Sequence, residues 1–520
     1  MLSPCKSWHA TQPKVRENPS SANALAFQIF SEHHVRLKPM TPAESPASEP
    51  GNPIRPRRSM GFRDLVLFYI VTGISLRWIA TAATVGASAV VIWLIAGCAF
   101  YLPLALSVME LSSRYPQEGG PYVWSKRAFG EFPGFITGWT YWTSNLPYYP
   151  AILYFTAGNA LYIGPAHWQS FLNSKTYFLL FALLGLALAT CLNLMGLSVG
   201  KWLYNLGAIG TWLPIAILFG IAGIAWHRLG SATVFTHSTI VPHMHFRDVL
   251  FLATIVFALG GSESASFLGG EIHNARKNLP RGLLAGGAFV TSGYILGTVA
   301  VLIALPANEV SGLQGIMQAI AKSVERIGLS GAVAIAVVSL SALLITVSNL
   351  GAMGAWLAVS ARLPFVAGLD RYLPRAFARL HPKWGTPYVA LLGQAGCAVI
   401  LVLISQAGTS VYGAYEALVS MGIISYFIPY LFVFASLIRL QREPPAPGIM
   451  QIPGGSTVAK AVGVLGFTST LITIIFSVIP AQDDPHKILA VAKILGLTIL
   501  LLGAGAFVFI WGKSRAAKRI

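Results

Sequence analysis

The sequence predicts an all-α polytopic membrane protein with twelve transmembrane helices. Three observations carry that prediction. Of the 520 residues, 55% are hydrophobic and 10% are charged, against roughly 25% charged in a soluble domain. Long segments such as 86–108, GASAVVIWLIAGCAFYLPLALSV, hold no charge at all, and a bilayer-spanning helix needs about 20 mainly apolar residues. The basic residues also lie on one side. With twelve spans and the N-terminus inside, 28 of 36 Lys and Arg fall on the cytoplasmic side and six outside, while Arg77 and Lys493 lie within spans. Setting aside the eight from Lys6 to Arg58 leaves 20 against 6, which is the positive-inside bias. The net charge of +18 therefore reports orientation and anionic lipid, not nucleic acid.

Residues 1–60 mix Pro, Ser, Glu and Arg without periodicity, which predicts a disordered basic cytoplasmic tail. The first apolar stretch starts near Leu65, so no cleavable signal is expected. Spans are expected at about 65–84, 86–108, 133–163, 177–197, 202–226, 249–270, 283–305, 331–361, 388–406, 412–437, 461–480 and 488–511. The segments 112–130, 271–282 and 362–387 between them read as cytoplasmic loops rich in Gly, Pro and Arg. The last has apolar and aromatic residues between its arginines, as in a short amphipathic interfacial helix. Residues 513–520 form a basic cytoplasmic C-terminus.

Other chemistry is weakly signalled. Cys5, Cys98, Cys191 and Cys397 form no CxxC pair and no disulfide framework, and read as small buried hydrophobes. HMH at 243–245 lacks accompanying ligands, so a solvated loop is expected and no metal site. GKS at 512–514 ends like a phosphate-binding loop, but the glycine that motif needs at 507 is Phe507. Neither a cofactor nor direct coupling to ATP within this chain is expected.

Two spans are interrupted. The first, LVLFYIVTGISLRWIATAATVG, is broken midway by Thr72, Gly73 and Ser75, with Arg77 following. The sixth is broken by Gly260, Gly261, Ser262, Glu263 and Ser264. Interruptions five helices apart point to an inverted-repeat transporter site. Glycine weakens a helix, and unwound backbone is tolerated at membrane depth only where it lines a cavity or is buried in protein. Half-helix N-termini attract carboxylates, and C-terminal carbonyls attract cations. Close packing is the alternative use of such glycines. A mid-span arginine costs roughly 2.5–3.5 kcal/mol on insertion scales. Arg77 either faces the cavity and favours an anionic group or snorkels to the outer interface. Glu263 either stays protonated, pairs with a cation such as a substrate amine, a coupling ion or Arg77, or caps the helix restarting near Ser264.

Three segments resemble a known family. ELSSRYPQEGGPYVWSKRAFGEFPGFITGW (110–139) is similar to the loop after the second helix of the amino acid–polyamine–organocation permeases. EIHNARKNLPRG (271–282) is similar to the loop after their sixth helix, with Ala275 where proline is usual. NLMGLSVGK (193–201) resembles their connection between helices 4 and 5. The resemblance covers roughly residues 61–512. It implies the leucine-transporter fold, with repeats at about 64–227 and 247–438, discontinuous helices 1 and 6, and two extra helices at about 458–512. It implies a substrate near mid-membrane. Backbone amides at Thr72, Gly73, Ile74 and Ser75 would hold its carboxylate. Groups near Phe257, Gly260, Gly261 and Ser262 would hold its amine. The chain departs from the family at TGISLRW, where GSGIF or similar is usual, and Arg77 is unusual there. Thr211 stands where some proton-coupled relatives carry a lysine. Thr346 and Ser348 are candidates for a sodium site, although such hydroxyls more often bond their own backbone.

The expected function is a secondary active transporter for an amino acid or related amine, working by alternating access, with H+ or Na+ as the coupling ion. The rivals are an exchanger of amino acids for their amines and a transport-inactive sensor with the same fold. No enzyme constellation is visible within the spans. The expected location is the plasma (inner) membrane, multi-pass, with both termini cytoplasmic.

Overall fold

The computed structural model describes residues 58–242, 252, 255–310, 314–370, 372–405, 411–477 and 487–517. The tail up to residue 57, with Cys5, and the HMH segment at 243–245 lie outside the described residues. Among the described residues the chain is helical, with one isolated bridge between Met60 and Ile272. Among the described residues, seven helices are long and apolar enough to cross a membrane, or eight when the bent pair Phe62–Gly73 and Leu76–Ala83 counts as one span.

The elements begin with α1 (Phe62–Gly73) and α2 (Leu76–Ala83), set at 41° to each other. The second span is α3 (Ala89–Ala96), a π turn over Gly97–Tyr101, and α4 (Leu102–Arg114). Pro103 has no N–H to give the Ala99 carbonyl, so the ladder is already broken beside the wide turn. The 112–130 segment is not a loop throughout: α5 (Pro121–Phe129) occupies it, started by Pro121 and bounded by Gly120 and Gly130 at positive φ. The expected third span is two helices, α6 (Glu131–Asn145) and α7 (Tyr148–Ala160), divided at Leu146–Pro147.

Next come α8 (Lys175–Leu194), α9 (Leu197–Leu229) and a single turn, α10 (His237–Ile240). A helical segment over 255–258 leads into the break of the sixth span, followed by a 3-10 helix over Ser264–Glu271. The remaining helices are α11 (Ala275–Ala304), α12 (Gly315–Arg326), α13 (Gly331–Leu369), α14 (Tyr388–Ser405), α15 (Val411–Leu440), α16 (Gly455–Ser477) and α17 (Lys487–Ala517). Among the described residues, the separate interfacial helix expected within 362–387 does not form. α13 runs on to Leu369, and the segment keeps a four-residue 3-10 turn at Arg375–Ala378.

Small residues let the central helices touch. α9 and α13 cross where Gly207 faces Gly351. A Cβ on Gly351 would stand 2.8 Å from the Gly207 Cα, and one on Gly210 would stand 2.4 Å from the Leu344 carbonyl. In lipid, where no hydrophobic drive separates helix from solvent, such close approach is the attractive term. α1 is enclosed by α9, α11 and α13. The helices turn apolar side chains outward from the bundle, among them Leu184, Trp202, Ile499 and Phe507. That is the surface of a protein whose solvent is hydrocarbon, and the chain is a multi-pass membrane protein. Cys98, Cys191 and Cys397 are free thiols, the first two exposed on the helix surface and the third half-buried, so none of the three lies in the protein core as expected.

The end of the bundle that carries Arg114, Arg127 and Arg362 is laced by polar links. Ser59 and Met60 donate their amides to the Glu271 carbonyl, and the His273 amide donates to Met60. Lys201 lies 3.5 Å from Asp64. Arg362, buried, pairs with Glu271 and stands 3.0 Å from Glu118. Arg362 Nε makes no hydrogen bond, so its contact with Glu118 is electrostatic. Glu118 is pushed up to about 7, first by burial and then by the charge of Glu271, against the pull of Arg362.

Candidate functional site

The first span breaks at Ile74 and Ser75, not at Gly73. Both residues are extended, with φ −104° and ψ 122° at Ile74 and φ −114° and ψ 117° at Ser75, a conformation any residue adopts. α1 runs through Gly73, and what glycine supplies there is space. A Cβ would stand 2.7 Å from Val290 Cγ2 on α11. The sixth span breaks at 260–263, and here glycine is needed for its backbone. Gly261 has φ +111°, where a Cβ is strained, and a Cβ there would also meet Trp356 at 3.1 Å and the Thr72 carbonyl at 3.3 Å.

The two breaks are tied to each other. The Thr72 and Ser264 hydroxyls are 3.1 Å apart. Tyr294 on α11 sits between the breaks: its hydroxyl accepts the Ser75 amide at 3.0 Å and lies within donating distance of the Gly73 carbonyl (2.9 Å) and the Ala258 carbonyl (3.0 Å). One proton serves one carbonyl at a time. Its ring stacks on Trp93 at 4.3 Å, and Trp93 donates to Thr298. Tyr430 on α15 does a similar job for the sixth span, accepting the Gly261 amide at 3.0 Å and donating to Glu263 Oε1 at 3.0 Å.

Between the breaks lies a small cavity of about 70 Å³. Thr72, Gly73, Ile74, Ser75 and Arg77 line it from the first span, and Phe257 and Gly260 from the sixth. The expected Gly261, Ser262 and Glu263 are not among the residues that line it. Ser144 and Asn145 at the end of α6, with Tyr148, Trp356 and Tyr426, close the other sides. Ser144, Asn145 and Tyr148, at i, i+1 and i+4, share one helix face across the division at Leu146–Pro147.

The amides expected to hold a carboxylate are engaged in this conformation. The Ile74 amide donates to Ile70 and the Ser75 amide to Tyr294. The next amides, of Leu76 and Arg77, start α2 and have no intrahelical acceptor. Arg77 does not snorkel. It is 3% exposed, its guanidinium lies 4.2 Å over the Trp78 ring, and Nε and Nη1 have no partner among the described residues.

Glu263 is fully buried and forms no ion pair with Arg77 among the described residues. Its side chain makes no capping bond to the 3-10 helix that follows. Instead Oε1 accepts from Tyr141 at 2.5 Å and from Tyr430, while Oε2 and the neighbouring Ser262 Oγ have no partner among the described residues. Thr346 donates to Ala342, and Ser348 shares a 2.5 Å contact with Thr211, which donates to Gly207. These hydroxyls are occupied by helix backbone and by each other.

Sequence reasoning missed Tyr141, Tyr294 and Tyr430. Their signal is faint: a buried tyrosine needs a partner for its hydroxyl, but nothing in the chain marks which of 18 tyrosines is buried.

The sequence model of the amino acid permease family matches residues 61–504. Among curated relatives, an uncharacterized transporter of Legionella pneumophila is 29% identical over 81% of this chain and 90% of its own length. The probable agmatine/putrescine antiporter of Lactococcus lactis is 24% identical over 83% of this chain and 88% of its own. The serine/threonine exchanger of Bacillus subtilis is 29% identical over 73% of this chain and 82% of its own.

Proposed function

This chain belongs to the amino acid permease family, and from that premise we propose that it is a secondary active transporter for an amino acid or related amine, binding its substrate in the cavity between the two broken spans. The observation that carries the proposal is the meeting of two helix breaks at one cavity, joined through Tyr294. Backbone that leaves helical geometry inside a bilayer must be matched by protein or by a ligand. A hydroxyl that ties both breaks makes their geometries interdependent, as alternating access requires.

The proposed architecture is twelve spans in two inverted five-helix halves plus two extra helices, in the plasma membrane with both termini cytoplasmic. On that orientation, the contacts of Ser59, Met60, Asp64 and Arg362 form the closed cytoplasmic side, and release of α1 from them opens the cavity inward. The coupling ion proposed is H+, carried by Glu263, because Thr346 and Ser348 have their hydroxyls engaged. The two relatives named as antiporter and exchanger favour exchange as the mode.

Uptake of labelled amino acids and amines into proteoliposomes tests this, with and without internal substrate and with imposed pH or sodium gradients. Saturable uptake, stimulated by an acid-outside gradient or by internal substrate, is expected. A correctly folded, reconstituted chain that moves none of them overturns the proposal.

A further inference from the structure

We propose that Arg77 recognises a carboxylate on the substrate, so that this cavity takes amino acids with the carboxyl group intact and rejects the amines made from them by decarboxylation. The inference rests on the cavity being the substrate site and adds the substrate class.

Arg77 is a buried cation with no ion-pair partner among the described residues, and two of its nitrogens donate to nothing there. No Asp or Glu is among the described residues that line the cavity. The nearest candidate on the sixth span, Glu263, is turned to Tyr141 and Tyr430. A charge taken out of water needs a counter-charge, and here the protein supplies none at the cavity wall.

The surroundings also fix the guanidinium. Trp78 lies under it at 4.2 Å, and Phe257 packs edge-on against Trp78 with ring centroids 5.5 Å apart. A planar fork held against an aromatic face is pre-organised for two-point contact with a carboxylate. Arg77 is the second residue of α2, whose first-turn amides and dipole also favour an anion. An amine without a carboxylate would bring a second positive charge beside an uncompensated one. That repulsion adds selection against the wrong ligand to the pairing that selects the right one.

The test is competitive binding to the purified full-length chain in detergent, using labelled amino acids and, as competitors, each amino acid and its own decarboxylated amine, with putrescine and agmatine included. In the wild type the amine should compete at least about tenfold more weakly than its parent amino acid, the scale of one charge-assisted contact. Arg77→Gln should weaken amino acid binding by about tenfold or more and shrink the discrimination; Arg77→Lys should fall between. Equal competition by the amine in the wild type overturns the inference. So does unchanged affinity in folded Arg77→Gln and Arg77→Lys, or failure of every amino acid to bind the wild type. If neither variant folds, the wild-type competition ratio decides alone. A chain that binds with this preference but moves nothing in proteoliposomes keeps the inference and loses the transport reading.

Discussion

Two glycines that look alike in sequence do different work. Gly73 lies in regular helix and is small because Val290 is close, so Gly73→Ala should lower uptake and Val290→Ala should restore it in the double variant. Gly261 is at φ +111°, so Gly261→Ala carries backbone strain of about 1–3 kcal/mol. Trimming a neighbour should not rescue it; rescue of Gly261→Ala by a smaller residue at Trp356 would contradict this account. Glu263→Gln keeps the hydrogen bonds of Tyr141 and Tyr430 but cannot titrate. Its uptake, measured across a pH series, should lose the wild-type response, and an unchanged profile would remove Glu263 from coupling. At this scale the sequence was readable where a charge stood in apolar surroundings: Arg77 and Glu263 announce themselves. The tyrosines that hold the breaks did not, since only the fold tells a buried hydroxyl from an exposed one.

Among the elements, the broken pair α1–α2 was legible from its cluster of Thr, Gly and Ser, though it breaks one residue later than the glycine suggests. The split of the third span at Pro147 was hidden inside a long apolar run, because Leu, Pro and Tyr fit a membrane helix and a helix end equally well. α5 was hidden for the opposite reason: its Gly-Pro start is also a loop signature, and burial of Tyr122 and Trp124 decides. The cluster of Glu118, Glu271 and Arg362 joins two connecting segments to α13, and it yields a pH prediction. Burial and the Glu271 charge hold Glu118 up at about 7, above an ordinary glutamate at about 4.3. The folded chain therefore binds a proton that the unfolded chain releases. This contribution to stability is complete below about pH 4.3 and is lost as pH rises to about 7. The Glu118→Gln variant should lose this part of the fall in melting temperature between pH 5 and pH 8. Parallel wild-type and variant curves would show that Glu118 is ionised throughout.

For the whole molecule, composition and charge distribution sufficed for a multi-pass helical membrane protein, because the bilayer enforces both. The meeting of the first and sixth spans was legible as a pair of matched breaks but not as a set of contacts. The paired interruptions and the family resemblance anticipated it, and the contacts that make it, Thr72 with Ser264 and Tyr294 with the Ser75 amide and the Ala258 carbonyl, come from residues far apart in the chain. The links of Asp64 to Lys201 and of Met60 to Ile272 hold one end of α1. Asp64→Asn should release it and speed modification of cysteines placed on the side of the cavity that faces this end of α1. Unchanged modification rates would mean that this end is held elsewhere. The central claim, that substrate binds between the two breaks, is tested most directly by protection of a cysteine at Ser75, which lines the cavity from the first break. In a chain with Cys5, Cys98, Cys191 and Cys397 replaced and uptake retained, Ser75→Cys should react with a small thiol reagent. The transported substrate should slow that reaction with a concentration dependence matching its uptake. An identical rate with and without saturating substrate would contradict the claim.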